Sequence, residues 1–273
     1  GRSVSGYVVR PDGLSVRGAA LVCAGRNANV SQVAGVEPPD HPDRALCVHL
    51  ARQGLVALVL DPNLVSTLDP MVVRGRDELN LLALAASATG RSLLGLLAGE
   101  ACEGLAWLAD DTGTPERTII VGHSLGSHLA LHAAIAWRRP LPAALAAFAC
   151  TYHHLLLHAA AAGGVHLLPG VLSAADLSDL IGAAALRAPV VVQHGNRDEI
   201  IAPCAARDAI GRAALRWPEA DLHLHTHPGG HGVDLGALSV FVDRVLATTP
   251  PSEPVASMRI VFSSTARTQI AAE

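Results

Sequence analysis

The residue best placed to do chemistry in this 273-residue sequence is a serine between two glycines. Residues 122–126 read Gly-His-Ser-Leu-Gly, directly after a β-branched apolar run at 118–121 that predicts a buried strand. A helix is predicted next, over 127–137. A strand, a sharp turn and a helix in this order present the serine hydroxyl at the tip of the turn, and the flanking glycines avoid collisions with neighbouring backbone. Ser124 is therefore predicted to be a nucleophile.

A serine nucleophile requires a base, and the base requires a carboxylate that orients it. Asp198 follows an apolar run at 189–193 that predicts a parallel strand. Because the carboxyl ends of parallel strands meet at one edge of a sheet, this carboxylate is expected beside Ser124. Asp198 is therefore the predicted acid, and the adjacent Glu199 is the alternative.

Four histidines follow within residues 222–232, and one of them is the predicted base. His231 lies in a Gly-rich loop just before the last predicted helix at 235–247, so its ring can reach the same edge. The other three, which alternate along a predicted strand and share one face, are His223, His225 and His227. A metal-binding trio is the alternative for that face, but no carboxylate or cysteine cluster stands at ligand spacing. No metal site is therefore expected.

Backbone N–H groups near Ser124 are candidates for stabilising a negatively charged oxygen. One is predicted at Leu125, at the start of the helix, where the helix dipole adds to the hydrogen bond. The other is predicted at Arg26, just past an apolar run at 19–24. The side chains predicted to contact the substrate are those of Asn27, His123, Tyr152 and His153. For the side chains of Arg26 and Asn27, a solvated loop is an equally good interpretation. His128 and His132 are interpreted as pocket-lining or packed groups.

The elements that must position these residues alternate between strands and helices along the chain. This order predicts βαβ units and a mainly parallel sheet flanked by helices, in one domain over residues 1–249. Residues 152–187 are predicted to be a helical insertion that caps the pocket. Residues 250–273 begin with a proline-rich break and are interpreted as an edge strand, an arm that contacts a partner, or a mobile tail.

Composition excludes several classes of function. Every cationic side chain is Arg, so a lysine Schiff base is excluded. The formal charge of −4 is small and no basic stripe occurs, which argues against nucleic-acid partners and anionic membrane surfaces. No apolar run has the length of a membrane span.

The five cysteines are odd in number and scattered, as is typical of reduced thiols, so a cytoplasmic location is predicted. No signal peptide is recognisable, although the chain begins with Gly1 rather than Met, so a leader could have been removed.

Two longer stretches resemble one branch of the α/β-hydrolase superfamily. The first stretch comprises Gly-Arg-Ser-Leu-Leu-Gly at 90–95 and Thr-Pro-Glu-Arg-Thr-Ile at 114–119. The second comprises residues 168–171, residues 176–180 and His-Gly-Asn-Arg-Asp at 194–198. Both are similar to segments of dienelactone hydrolase-like and acetyl xylan esterase-like enzymes, and the resemblance covers most of residues 19–247. It implies an α/β-hydrolase fold and action on carboxylic esters without a cofactor. Dienelactone hydrolases carry cysteine at the position of Ser124, and many esterases of this group carry glycine at that of Ser127.

The leading hypothesis from the sequence is a serine hydrolase that cleaves a carboxylic ester with a small or medium apolar acyl group through an acyl-enzyme. Its partner would be a small-molecule ester or thioester, and a homodimer is one assembly compatible with the sequence. An acyltransferase or cyclase with the same three side chains is the first alternative, since both would use the same acyl-enzyme. A non-catalytic binding protein with this fold is the second alternative.

Overall fold

The computed structural model describes residues 4–26, 28–38, 45–61, 78–157 and 163–248. Within these ranges one sheet contains seven strands in the order β1-β3-β2-β4-β5-β6-β7. The strands are β1 (Ser5–Val9), β2 (Gly18–Cys23), β3 (Leu55–Asp61), β4 (Thr118–His123), β5 (Ala143–Ala146), β6 (Val190–Gly195) and β7 (Leu222–His227). Strand β1 pairs antiparallel with β3, and the other pairs are parallel. The predicted mainly parallel sheet is confirmed.

Helices cover both faces of this sheet. The described α-helices are α1 (Val30–Ala34), α2 (Leu46–Ala51), α3 (Glu78–Ala88), α4 (Leu93–Thr112), α5 (Leu125–Ala136), α6 (Tyr152–Leu157), α7 (Leu177–Ala185), α8 (Pro203–Arg216) and α9 (Leu235–Thr248). Helices α1, α2 and α9 pack on one face, while α4, α5, α7 and α8 pack on the other. This three-layer arrangement follows from strands such as β2, whose six residues are all buried and whose side chains alternate between the two cores.

Strand β5 begins and ends earlier than the sequence predicts. The apolar run predicts a strand at 145–150, but the parallel register with β4 pairs Ala143 with Ile120 and places the strand at Ala143–Ala146. The chain then turns at Ala147, whose φ of 56° lies in the left-handed region and cannot continue a strand. The apolar residues after it are buried in the core without belonging to the sheet. Hydrophobicity alone therefore misplaced the end of this strand.

The insertion between β5 and β6 contains two kinds of structure. Helix α6 and the 3-10 turn Gly164–His166 lie at the carboxyl edge of the sheet, where Leu155 and His166 line the same cavity as Ser124. Helix α7 is instead the crossover helix to β6, since Leu177 and Ile181 are fully buried in the core that it shares with α5 and α8. Residues 158–162 of the predicted cap lie outside the described residues, as do Asn27 and the tail at 250–273.

The strand order creates a crevice at the carboxyl edge. The chain passes from β2 to β3 on one side and from β4 through β5 and β6 to β7 on the other, so the order reverses between β2 and β4. Open parallel sheets bind ligands at such a reversal. Because Cys23 pairs with Gly122, the loops that follow β2 and β4 are neighbours there. This register places Arg26 and Ser124 on the two sides of one crevice.

Two further features of the described residues concern membrane-spanning helices and cysteines. Among the described residues, no single helix is both long and apolar enough to span a membrane; α3 and α4 reach that length and composition only together, with a bend of 97° between them. The five cysteines are all within the described ranges and all free, and three of them are buried.

The contact between α5 and the β2 loop gives a test of the packing. A Cβ on Gly126 would collide with the carbonyl of Cys23 and lie 2.6 Å from that of Ala24, both backbone atoms that cannot rotate away. We expect Gly126→Ala to lower the free energy of unfolding by about 2–3 kcal/mol. The matched control is Gly99→Ala on α4, where no described atom outside the local backbone of the helix lies within 4 Å of the added Cβ. Gly99→Ala should raise the free energy of unfolding by about 0.5–1 kcal/mol, as measured by urea titration. Equal stability of the Gly126→Ala and wild-type proteins would contradict the packing.

Buried His132 on α5 predicts how stability depends on pH. Its Nδ1 donates to the carbonyl of His128 at 2.8 Å, and its Nε2 is buried without a partner among the described residues. Burial lowers the pKa of His132 below 6.5, and the bond to His128 only partly offsets this. Below pH of about 6.5 the unfolded chain therefore binds a proton that the folded protein does not, so stability falls as pH falls, by up to about 1.4 kcal/mol per pH unit.

Urea unfolding between pH 7 and pH 5 measures this slope. His132→Leu should reduce the slope by the share of one proton, while buried His128, whose pKa burial also lowers, keeps its own share. Gly99→Ala, which removes no titratable group, should leave the slope unchanged. An unchanged slope in His132→Leu would mean that this imidazole takes up its proton in the folded protein.

Candidate active site

Ser124 lies at the turn between β4 and α5 in a strained conformation. Its φ of 54° and ψ of −121° are rare for a residue with a side chain and cost about 1–3 kcal/mol. Its N–H donates to the carbonyl of Ala146 on β5 at 2.8 Å, which helps to hold the turn. The strain is therefore compensated by the sheet, and the hydroxyl stands at the carboxyl edge.

Close backbone contacts around Ser124 explain the residues next to it. A Cβ on Gly25 would lie 3.1 Å from Nδ1 of His123 and 3.5 Å from Cβ of Ser124, so the β2 loop approaches the serine closely. Ser127, where many esterases of the resembled group carry glycine, is fully buried. Its Oγ donates to the carbonyl of Ala146 and accepts from the Ala146 N–H, both at 2.8 Å. The hydroxyl at 127 therefore fastens α5 to β5.

The structure brings the predicted nucleophile, base and acid together. Nε2 of His231 is 2.8 Å from Oγ of Ser124, and Nδ1 of the same ring is 2.9 Å from Oδ2 of Asp198. In the neutral imidazole, Nδ1–H donates to the carboxylate and Nε2 accepts from the hydroxyl. Glu199, the alternative acid, is exposed, and His231 contacts Asp198 instead.

Asp198 is held in a single orientation as an ionised group. Its side chain is fully buried, and Oδ1 accepts from the N–H groups of Ile200 at 2.9 Å and Ile201 at 3.0 Å. Burial raises the pKa of Asp198, but the hydrogen bonds from His231, Ile201 and Ile200 and the charge of His231 outweigh it, so the pKa lies below its ordinary value. The carboxylate therefore stays charged near neutral pH and can stabilise an imidazolium.

The loop that carries His231 is bound to the loop that carries Asp198. The Arg197 N–H donates to the carbonyl of Gly229 at 2.9 Å, and its Nε donates to that of Pro228 at 2.6 Å. A Cβ on Gly195 would collide with the carbonyl of Gly230, so the two backbones touch. This contact fixes the distance between base and acid.

Two residues that the sequence did not predict support the His231 loop. Gln193, buried on β6, accepts through Oε1 from the Asp234 N–H at 2.9 Å. Asp234 in turn caps α9, since its Oδ1 accepts from the Ala237 N–H at 3.1 Å. A cap before an amphipathic helix is a readable signal at Asp234. The role of Gln193 has no sequence signal beyond a polar residue in an apolar strand.

The three alternating histidines each have their own partner. His223 contacts Asp221 at 3.0 Å, and His225 contacts Asp234 at 2.8 Å. His227 accepts through Nδ1 from the Gly229 N–H at 3.2 Å. Within the described ranges, no group of three histidine, cysteine or acidic side chains has the geometry of a metal site.

The residues predicted to contact substrate lie in different places. Nε2 of His123 is 3.2 Å from the carbonyl of His231, and their ring centroids are 5.4 Å apart, so His123 supports the base. Tyr152 is fully buried behind the site, and His153 is exposed on α6. Neither belongs to the described lining of the cavity that contains Ser124. Asn27 lies outside the described residues.

Two cavities meet beside Ser124. The smaller one, of about 30 Å³, is lined by Ser124 and His231. The larger one, of about 300 Å³, lies at the ends of β2 and β3, and its walls are mostly apolar with three carboxyl side chains. Arg26 and Leu125, the predicted oxyanion residues, line both cavities. Leu125 is the first residue of α5 and follows Ser124 directly, so its N–H has no acceptor within the helix.

Two buried imidazoles that the sequence did not connect line the smaller cavity. His128 and His166 both line it, with Nδ1 of one ring 3.0 Å from Nδ1 of the other. The hydroxyl of Tyr152 is 3.4 Å from Nε2 of His128. His166 lies on the 3-10 turn, far from α5 in sequence, and no local pattern links the two rings.

The sequence matches no protein-family model, and no curated protein matches it either. Solved structures are similar in fold. TT1662 from Thermus thermophilus aligns with a TM-score of 0.59 and 17% identity over 90% of this chain and 99% of its own. A cold-adapted esterase from an Arctic intertidal metagenomic library aligns with a TM-score of 0.58 and 17% identity, over 91% of this chain and 90% of its own. A candidate dienelactone hydrolase from Klebsiella pneumoniae aligns with a TM-score of 0.55 and 18% identity, over 90% of this chain and 92% of its own. The chain has the α/β-hydrolase fold that its sequence resemblance implied.

Proposed function

We propose that this protein is a serine hydrolase that cleaves carboxylic esters through an acyl-enzyme. The observation that carries the proposal is the hydrogen-bonded line from Ser124 through His231 to Asp198, at the N-terminus of α5. A hydroxyl, an imidazole and a buried carboxylate in this order form the arrangement that activates serine for attack on a carbonyl.

Each side chain has one role in the proposed reaction. His231 takes the hydroxyl proton as Oγ of Ser124 attacks the ester carbonyl, and Asp198 stabilises the resulting imidazolium. The N–H groups of Leu125 and Arg26 bind the oxyanion. The bond between the carbonyl carbon and the alcohol oxygen then breaks, and His231 gives its proton to the departing alkoxide. The acyl group stays on Ser124 as an acyl-enzyme. Water, activated by His231, attacks this ester and releases the acid and free Ser124.

The two cavities suggest which part of an ester each one holds. His231 must reach the leaving oxygen to protonate it, and His231 lines the smaller cavity. The alcohol part therefore belongs there. The acyl part extends past Arg26 and Leu125 into the larger cavity, whose volume of about 300 Å³ and apolar walls suit a medium-length acyl chain.

The nucleophile and base can be tested with a panel of esters of increasing acyl length. Ser124→Ala and His231→Ala should each lower kcat by about 10⁴-fold or more, because removing either breaks the proton transfer. A fluorophosphonate probe should label Ser124 in the wild type. His227→Ala is the matched control and should keep most activity, since the ring of His227 accepts from the Gly229 N–H and lies outside the line from Ser124 through His231 to Asp198.

Equal turnover by Ser124→Ala and the wild type would refute the proposal. Activity that survives in His231→Ala but not in His227→Ala would show that the base was misassigned. Acyl transfer to an added alcohol in place of hydrolysis would make the protein an acyltransferase. A wild type that neither turns over esters nor reacts with the probe would leave the binding-protein hypothesis.

The acid can be tested by two isosteric substitutions in adjacent residues. Asp198→Asn should lower kcat by about 10³–10⁴-fold, because a neutral amide no longer favours Nδ1–H on His231. Glu199→Gln removes the same charge from an exposed side chain and should change kcat little. Thermal unfolding of both variants separates lost catalysis from lost folding. The reverse ranking of the two variants would make Glu199 the acid.

A further inference from the structure

The larger cavity has an apolar inner end between α4 and the sheet. Leu21 on β2 lines it and is 1% exposed, while Leu97 and Ala101 on α4 line it and are 6% and 2% exposed. The charged side chains of the lining are only half-buried and therefore lie toward the mouth, namely Arg26, Asp61, Glu78 and Glu100. Burial, and to a lesser extent Cys102, raises the pKa of the lining thiol of Cys23 to about 12, so this wall disfavours charge. The inner end therefore suits a neutral alkyl chain.

A close approach of α4 to the sheet closes this inner end. A Cβ on Gly104 would lie 3.0 Å from Cδ1 of Leu60 and 3.4 Å from Cδ1 of Leu21. Both leucines line the cavity and Gly104 is outside its described lining, so the helix meets the sheet at Gly104 with no space between them. Ala101 lies almost one helical turn before Gly104 and is the last described residue of α4 that lines the cavity. Ala101 therefore forms the floor of the cavity together with Leu21.

The strand register sets the depth of the cavity below the nucleophile. Leu21 pairs with Ile120, four residues before Ser124, which places Leu21 about 13 Å below Ser124 at about 3.3 Å per residue. Contact between the last methyl group of a ligand and the floor takes up about 4 Å of this depth. A saturated chain advances about 1.25 Å per carbon, given C–C bonds of about 1.5 Å and tetrahedral angles, so the remaining depth holds about seven or eight carbons.

We propose that Ala101 limits the length of the acyl group, so that preferred substrates are esters of uncharged, unbranched acids with no more than about eight carbons. The inference rests on the proposed ester hydrolysis. Ala101 acts as a specificity-determining residue, because its methyl group contacts the end of the acyl chain. A larger side chain at position 101 occupies the space that the last carbons of the chain require.

The dependence of kcat/KM on acyl length tests the inference, with ethyl esters of straight-chain acids as substrates. For the wild type, ethyl octanoate should exceed ethyl pentanoate by about tenfold or more, because three further carbons are buried, and ethyl dodecanoate should fall below ethyl octanoate. Ala101→Leu adds three carbons to the floor and should lower the octanoate-to-pentanoate ratio by about the same factor. Ala101→Gly removes one carbon and should raise the nonanoate-to-octanoate ratio by about threefold. Any inactive fraction of a variant cancels within each ratio.

Ala106→Leu, the same substitution at an exposed position of α4, is the matched control and should leave both ratios unchanged. A wild-type kcat/KM that keeps rising up to ethyl dodecanoate overturns the inference even if Ala101→Leu does not fold. An unchanged octanoate-to-pentanoate ratio in folded Ala101→Leu overturns it as well, and so does an equal fall of this ratio in Ala106→Leu. In each case ester turnover and labelling of Ser124 would persist, which distinguishes this failure from failure of the proposed function.

Discussion

The close contact between α5 and the loop after β2 is the constraint on which the site depends. Gly126 allows the first turn of the helix to rest on the backbone of Cys23, with no room for a Cβ. The contact sets the height of the helix N-terminus above the sheet. It thereby determines both the strained conformation of Ser124 and the position of the Leu125 N–H. A helix placed even one methyl group further out would separate the hydroxyl from the base and the oxyanion donors from the reacting carbonyl.

Backbone contacts between loops also set the position of the base. Strand β7 is three places from β4 in the sheet, so the side chain of a residue at its end cannot reach Ser124 directly. The loop after β7 crosses the distance by lying on the loop after β6, with Gly195 against Gly230 and Arg197 bonded to Gly229. Asp198 stands on the supporting loop and His231 on the supported one. Acid and base are therefore positioned by the same interface, and a shift in one loop would move the other.

The parts of this molecule that could be predicted from sequence are those with a local signal. The apolar runs predicted β2 and β4, and the glycines around Ser124 and His231 mark backbones that touch. Strand β5 was misplaced because its end depends on register with β4 and on the left-handed turn at Ala147. The pairing of His128 with His166 could not be foreseen, since it joins a helix to a short turn across the fold. Long-range polar contacts of this kind leave no periodic pattern in a sequence.

Histidine takes the place in this site that aromatic residues hold in many pockets. The sequence contains 14 histidines against 3 Trp, 2 Tyr and 3 Phe. Several rings lie face to face or in contact, as His225 does with His227 and His128 with His166. A neutral imidazole packs as a flat ring, but it has one donor nitrogen and one acceptor, so each neighbour constrains its tautomer. Because the Nδ1 atoms of His128 and His166 share one hydrogen bond, the tautomer of one ring sets that of the other. The site is therefore ordered by hydrogen-bond direction as much as by shape.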